Sequence, residues 1–212
     1  MVAAMNISYG SARLGDIASI RQGHPFRGAI TPAADGPVRV IQLKNVTATG
    51  MQGADELLRT HLSHRKTPDW VKDGDVLLAA RGSHPMAALL CSPAERTVCS
   101  PHLYVIRLKD PSSVMPAFLA WQLNQRRAQD YLQGQSAGSR QQSVRKASVE
   151  ALTVQVPSLL RQMRIVTIAR TAQLELRHCE QLMAARHDEV ARYAELLLSG
   201  SRVDSPLTRR GP

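Results

Sequence analysis

Between Arg21 and about Leu108 the apolar positions follow the two-residue beat of β-structure. Val38-Arg-Val-Ile-Gln-Leu43 alternates, whereas Asp75-Val-Leu-Leu-Ala-Ala80 and Leu103-Tyr-Val-Ile-Arg-Leu108 are short apolar runs of the kind found in buried strands. Glycine and proline punctuate these runs, and Asp73-Gly74 ahead of the second is a turn signal. Before them, residues 1–11 read as a frayed start. Ser11 to Ile20 reads as a short helix or turn with Leu14 and Ile17 facing inward. From Pro116 the beat lengthens. Phe118, Leu119, Trp121, Leu123, Ala128 and Leu132 recur at helical spacing and predict one amphipathic helix over about 116–133. A polar loop from Gly134 to Lys146 follows, then a turn into a strand ending at Val156 and closed by Pro157.

Residues 158–198 contain neither glycine nor proline, enough for roughly 60 Å of helix at 1.5 Å per residue. A helix so much longer than the usual 10–14 residues needs a partner to bury its apolar stripe. Ile165, Ala169, Ala172, Leu176, Cys179, Met183, Val190, Tyr193 and Leu197 recur in alternating steps of four and three, with Arg186 as the one charged interruption. That is a heptad seam, and it predicts coiled-coil pairing with a second copy or with a larger partner's helices. The competing reading folds the stripe back on the β-rich part as a hairpin. The expected fold class is therefore α+β: a β-rich domain over 1–157, a long dimerisation helix over 158–198, and a disordered tail over 199–212.

Charge adds a partner to this picture. Lys and Arg number 27 against 17 Asp and Glu in 212 residues, a formal net charge of +10, with an isoelectric point near 10.3. A balance this basic favours a polyanion, nucleic acid foremost. The cations are mostly arginine, with lysine only at Lys44, Lys66, Lys72, Lys109 and Lys146. A guanidinium fork grips phosphate or the guanine O6/N7 edge with two bonds, although a GC-rich genome would produce the same bias without functional cause. No apolar run approaches the roughly 20 residues that span a bilayer, and the start lacks a secretory pattern, so a cytoplasmic location is expected. Cys91, Cys99 and Cys179 are scattered thiols with no disulfide framework. With no C-x-x-C pair, Cys91, Cys99 and His102 do not make a zinc site.

Catalytic signatures are missing. There is no glycine-rich cofactor loop with an Asn/Asp-Pro-Pro-aromatic patch, no phosphate-cradling Walker loop, and no lysine with an acid two residues before it, as common metal-dependent nucleases use. No Glu partners His61 and His64, and Ser83-His84 lacks an orienting acid. A non-catalytic protein with no cofactor and no metal is expected. What remains is a set of polar loops that follow strands. Arg21, Gln22, His24 and Arg27 surround Gly23, a residue suited to close backbone approach. Lys44 and Asn45 end a strand. Arg81, Ser83 and His84 follow the most apolar run. Ser139, Arg140, Gln141, Gln142, Arg145 and Lys146 crowd one loop. Arginine and glutamine read guanine and adenine edges, while serine hydroxyls and backbone N–H groups suit phosphates. These fifteen side chains are the candidate DNA contacts.

The order of several short segments resembles the specificity subunit of type I restriction–modification systems. They are Leu14-Gly-Asp-Ile17 with Arg21-Gln-Gly-His-Pro-Phe-Arg-Gly28, Val40-Ile-Gln-Leu-Lys-Asn-Val46, and Val71-Lys-Asp-Gly-Asp-Val-Leu-Leu78 with Arg81-Gly-Ser83. Ser100 to Arg107, Pro116-Ala-Phe-Leu-Ala-Trp121, Gly138-Ser-Arg-Gln-Gln142, and Leu152-Thr-Val-Gln-Val-Pro157 with Gln162 and Ile165 complete the order. The resemblance covers roughly 12–198. It implies a target-recognition domain that reads half of a split double-stranded DNA site, and a long helix that sets a distance and docks methyltransferase and restriction subunits in a phage-defence complex. Family members usually carry two such domains and two such helices, whereas one of each is present here. A half-subunit of this kind would pair with a second copy through antiparallel helices and read a symmetric bipartite site. Arg186 would then fix the register of the seam. The alternative is a coiled-coil scaffold whose basic domain binds protein or RNA.

Overall fold

The computed structural model describes residues 10–62, 68–81, 85–135 and 143–199. The chain opens with β1 (Gly10–Arg13), one helical turn α1 (Leu14–Ile17) and β2 (Ala18–Gln22). Next come β3 (Val38–Ile41), a 3₁₀ turn (Leu43–Asn45), β4 (Val46–Thr47), β5 (Gly50–Met51), β6 (Leu58–Thr60), β7 (Val76–Ala79), β8 (Ala87–Leu89), β9 (Thr97–Cys99) and β10 (Leu103–Leu108). Helices α2 (Pro116–Leu123), α3 (Arg126–Gly134) and α4 (Lys146–Ala151) precede β11 (Thr153–Val156) and the final helix α5 (Leu159–Leu198). The fold is α+β, as expected.

A four-stranded sheet, ordered β2-β10-β7-β8, is antiparallel throughout. It forms because β7 is apolar on both faces. Val76 and Leu78 enter one cluster with Ile106, Phe118 and Leu132, while Leu77 and Ala79 enter another with Ile41, Cys99 and Val105. A three-stranded sheet, β6-β3-β9, lies beyond the second cluster, with β3 and β9 parallel. The helices α2 and α3 supply Phe118, Leu119, Leu123, Ala128 and Leu132 to the first cluster.

Two expectations need correction. The segment from Ser11 to Ile20 is not one short helix. Leu14 and Ile17 are buried as expected, but β1 pairs with β11 and β2 with β10, so partners more than 80 residues away decide the conformation on either side of a single turn. That pairing also draws Gly10 and Ser11 out of the expected frayed start. The helix expected over 116–133 is two. Asn124 ends α2 because its amide accepts the Ala87 N–H at 2.8 Å and donates to the Ala87 carbonyl at 2.7 Å, closing off the edge strand β8 with a side chain.

The chain divides into two compact units, Met1–Thr167 and Ile168–Pro212, ten residues later than the boundary expected at 157. Gln162 supplies the reason. Fully buried, it accepts the Met115 N–H at 2.8 Å and donates to the Ser113 and Pro157 carbonyls at 3.0 and 2.7 Å. Ile165 and Val166 pack against the main cluster. Ile165, expected in the seam, is thus held by the domain. Every other expected seam residue is exposed or half-buried: Leu176 is 65% exposed, Met183 62%, Val190 68%, Tyr193 52% and Leu197 70%. Ala172 and Cys179 are exposed as well, Ala169 is half-buried, and Arg186 is engaged by Glu189 at 2.7 Å. The expected disordered tail, apart from Ser199, lies outside the described residues. No helix among the described residues is long and apolar enough to cross a membrane.

Candidate nucleic-acid interface

Strand pairing gathers several of the candidate contacts at one end of the four-stranded sheet. Antiparallel register sets Gln22, at the end of β2, opposite Tyr104, and Ala79, at the end of β7, opposite Leu103. The chain continues this pairing past the strands. The Gly23 N–H donates to the Leu103 carbonyl at 2.8 Å, the Ala80 N–H to His102, and the Val144 N–H to Ala80 at 2.9 Å. Arg81 forms an antiparallel bridge with Ser143. The Tyr104 hydroxyl donates to the Val144 carbonyl at 2.9 Å, and burial holds its phenol above the usual range, so it acts there as a neutral donor. Gln22, His24, Arg81, Ser143 and Arg145 therefore share one sheet end although they are far apart in sequence. Arg81 and Arg145 are exposed, as is Arg27 in the loop after His24.

Gly23 is required by this packing. A Cβ there would lie 2.0 Å from the Ser100 carbonyl oxygen and 2.7 Å from that of Cys99. The close approach expected of this glycine is made, but to its own chain. The His24 N–H donates to Cys99 at 2.7 Å, its ring meets Phe26 edge-on at 4.9 Å, and the Gln22 amide donates to the Pro101 carbonyl at 2.8 Å. Because the Ser100 N–H donates to Ile41, the end of β3 adjoins this loop, and Lys44 is exposed in the turn just beyond it. Cys99 is sealed beneath, and burial pushes its thiol up to about 12.

Other candidates are occupied by the fold. Arg21 is half-buried. It pairs with Asp69 at 2.7 Å, donates to the Asp69 and Trp70 carbonyls at 3.0 and 3.1 Å, and lies 4.0 Å from Asp75. Asp75, fully buried, takes two 2.7 Å bonds from Arg107 and the Lys72 N–H at 2.8 Å. Hydrogen bonding and the carboxylate of Asp75 raise the Arg107 pKa. Asn45 is buried and caps its own turn. It accepts the Gln42 N–H at 2.9 Å and donates to the Gln52 carbonyl at 3.0 Å. Lys146 reaches Glu150 at 3.4 Å on the exposed side of α4. Ser83, His84, Ser139, Arg140, Gln141 and Gln142 lie outside the described residues. Among the described residues no group of three His, Cys, Asp or Glu side chains is placed to hold a metal ion.

The sequence of residues 7–177 matches a family described as the type I restriction modification DNA specificity domain. The chain belongs to this family. Three solved structures share the specificity-domain fold. One, from work on complex assembly and conformational transition of the type I R-M system, aligns with a TM-score of 0.64 at 17% identity, over 94% of this chain and 47% of the other. The type I S subunit from M. genitalium gives 0.58 at 15% identity, over 95% and 49%. The HsdS subunit from Thermoanaerobacter tengcongensis gives 0.59 at 15% identity, over 94% and 46%. This specificity domain with its helix thus spans about half the length of the structures it matches. No curated protein matches its sequence significantly.

Proposed function

We propose that this specificity domain recognises a sequence in double-stranded DNA as the non-catalytic specificity component of a type I restriction–modification assembly, with the chemistry carried by methyltransferase and restriction subunits. The observation that carries the reading is the convergence of Gln22, His24, Arg81 and Arg145 on one sheet end in a chain of this family. An exposed guanidinium and an exposed amide at one sheet end are the equipment for reading purine edges in the major groove. Arg27 and Lys44 lie alongside as backbone contacts, and Ser83, His84, Ser139, Arg140, Gln141 and Gln142 complete the proposed surface by their place in the sequence. Arg21 and Asn45 support it from beneath.

Two copies are proposed to act together, joined through α5. The exposed apolar residues of that helix favour a partner, and its charges favour an antiparallel one. Its first half carries Arg161, Arg164, Arg170 and Arg177 against Glu175 alone. Its second half carries Glu180, Asp188, Glu189 and Glu195 against Arg186 and Arg192. Antiparallel pairing brings the basic half of one helix against the acidic half of the other, whereas parallel pairing sets like against like. A two-fold dimer of such domains reads a symmetric bipartite site.

The first experiment is a titration of duplex and single-stranded DNA across salt, in which duplex is preferred and its affinity falls steeply as salt rises. In the same format, Arg81→Ala is expected to relax discrimination at one or two base positions by about 1–3 kcal/mol each. Equal weakening for all sequences would instead make Arg81 a phosphate contact.

A further inference from the structure

A second concentration of positive charge lies at the start of β3, the end away from the loops just described. In the antiparallel pair of β3 and β6, Arg39 stands directly opposite Arg59. Residues opposite one another in a sheet share a face, with Cβ atoms about 5 Å apart, and like charges so placed repel. The opposite face at this point is apolar, where Val38 and Val40 pack with Leu58 and Val98. The arginines are therefore held together by the register of the core and not by any attraction of their own. Arg59 donates its Nε–H to the Gly36 carbonyl at 2.9 Å, and among the described residues no ion pair or hydrogen bond engages its terminal nitrogens. No ion pair or side-chain hydrogen bond engages the Arg39 guanidinium among the described residues. Asp35, a carboxylate of the preceding loop, pairs with His61 at 3.3 Å, and that bond, with a smaller pull from the charge of Arg59, holds it below the usual carboxylate range.

Arg96 adjoins this pair through the backbone. The Arg96 carbonyl accepts the Arg39 N–H at 3.0 Å, and Arg96 is exposed with φ at 56°, a left-handed backbone that non-glycine residues seldom adopt. Two opposed forks, with no counterion on Arg39 among the described residues and an exposed arginine one backbone hydrogen bond away, suit an oxyanion with several acceptor oxygens. We propose that Arg39, Arg59 and Arg96 grip the phosphate backbone of duplex DNA outside the bases read at the loop-bearing end of the sheet. The proposal rests on the duplex-binding reading above and adds a contact that carries no sequence information.

The test uses the full chain with Arg39→Gln and Arg96→Gln combined, since Arg59 also supports Gly36. Binding is followed by fluorescence anisotropy on mixed-sequence duplexes of about 40 base pairs over about 50 to 300 mM salt. The slope of log affinity against log salt is expected to become shallower by about 2, with every sequence weakened alike. Melting of the free variant should be unchanged or slightly higher, because the change removes repulsion from the sheet. A wild-type slope in the double variant would overturn the proposal. So would a loss of sequence discrimination without a change of slope, or loss only of binding to an acidic protein partner. In each of those cases the base-reading function stands if Arg81→Ala still alters sequence preference. Absence of any duplex affinity in the unsubstituted protein would overturn both.

Discussion

Replacing Leu176 and Met183 together by glutamate is expected to yield a folded monomer whose affinity for a duplex carrying two half-sites falls by about 10²–10⁴-fold. Both side chains are more than 60% exposed on α5, and neither belongs to a core cluster among the described residues. Four carboxylates set along a two-helix seam would each lose water on pairing, at a cost that a short apolar stripe cannot offset. The drop in affinity follows from connectivity. A joined pair of domains binds its second half-site as an intramolecular event, and a monomer loses that gain without losing any contact of its own. Binding to a single half-site should therefore remain as in the unsubstituted protein. Light scattering and a titration against one-site and two-site duplexes check this. A dimer that persists would remove the helix seam from the account.

The second large effect concerns the buried ion pair at the end of β7 away from the candidate interface. Arg107→Met is expected to cost about 3–5 kcal/mol in urea unfolding, because it strands a fully buried carboxylate. After the change Asp75 keeps the Lys72 N–H at 2.8 Å and has Arg21 at 4.0 Å. Arg21 can move partly into the gap, and Arg107 is itself 31% exposed, so the lower end of the range is expected. Removing both charges, as Asp75→Leu with Arg107→Met, should be milder than the single change, since no unpaired charge is left inside. A single variant as stable as the starting protein would show that water reaches Asp75. Because Arg21 leaves the end of β2, such a shift should also disturb the loop that carries His24 and Arg27.

The parts of the fold legible in the sequence are those whose signal is local. Apolar runs at Val38–Ile41, Val76–Ala79 and Leu103–Leu108 became β3, β7 and β10, and the stretch free of glycine and proline became α5. The short strands β8 and β9 have three residues each, too few for a period to show. The strands flanking α1 and the break at Asn124 depend on partners distant in the chain, which no window of sequence contains.

The candidate site divides in the same way. Arg27, Lys44, Arg81 and Arg145 are exposed as a count of polar loop residues suggests. The half-burial of Arg21 is not visible in its own segment, because Asp69 and Asp75, the acids that hold it, are about 50 residues away. A signal did exist. An aspartate that leads into Val-Leu-Leu-Ala, the most buried strand, must itself be buried, and a buried carboxylate needs cations. Arg107, within a strand of otherwise apolar residues, is the complementary sign. Asn45 was likewise recoverable, since a short amide after Gln42-Leu-Lys can close a turn as readily as it can read a base.

Selection of bound fragments from a pool of randomised duplexes is the measurement that bears most directly on two identical domains held apart by paired helices. The expected product is a bipartite sequence whose halves are inverted copies of one another across a spacer of constant length. Enrichment of one contiguous or asymmetric sequence, or none at all, would contradict it.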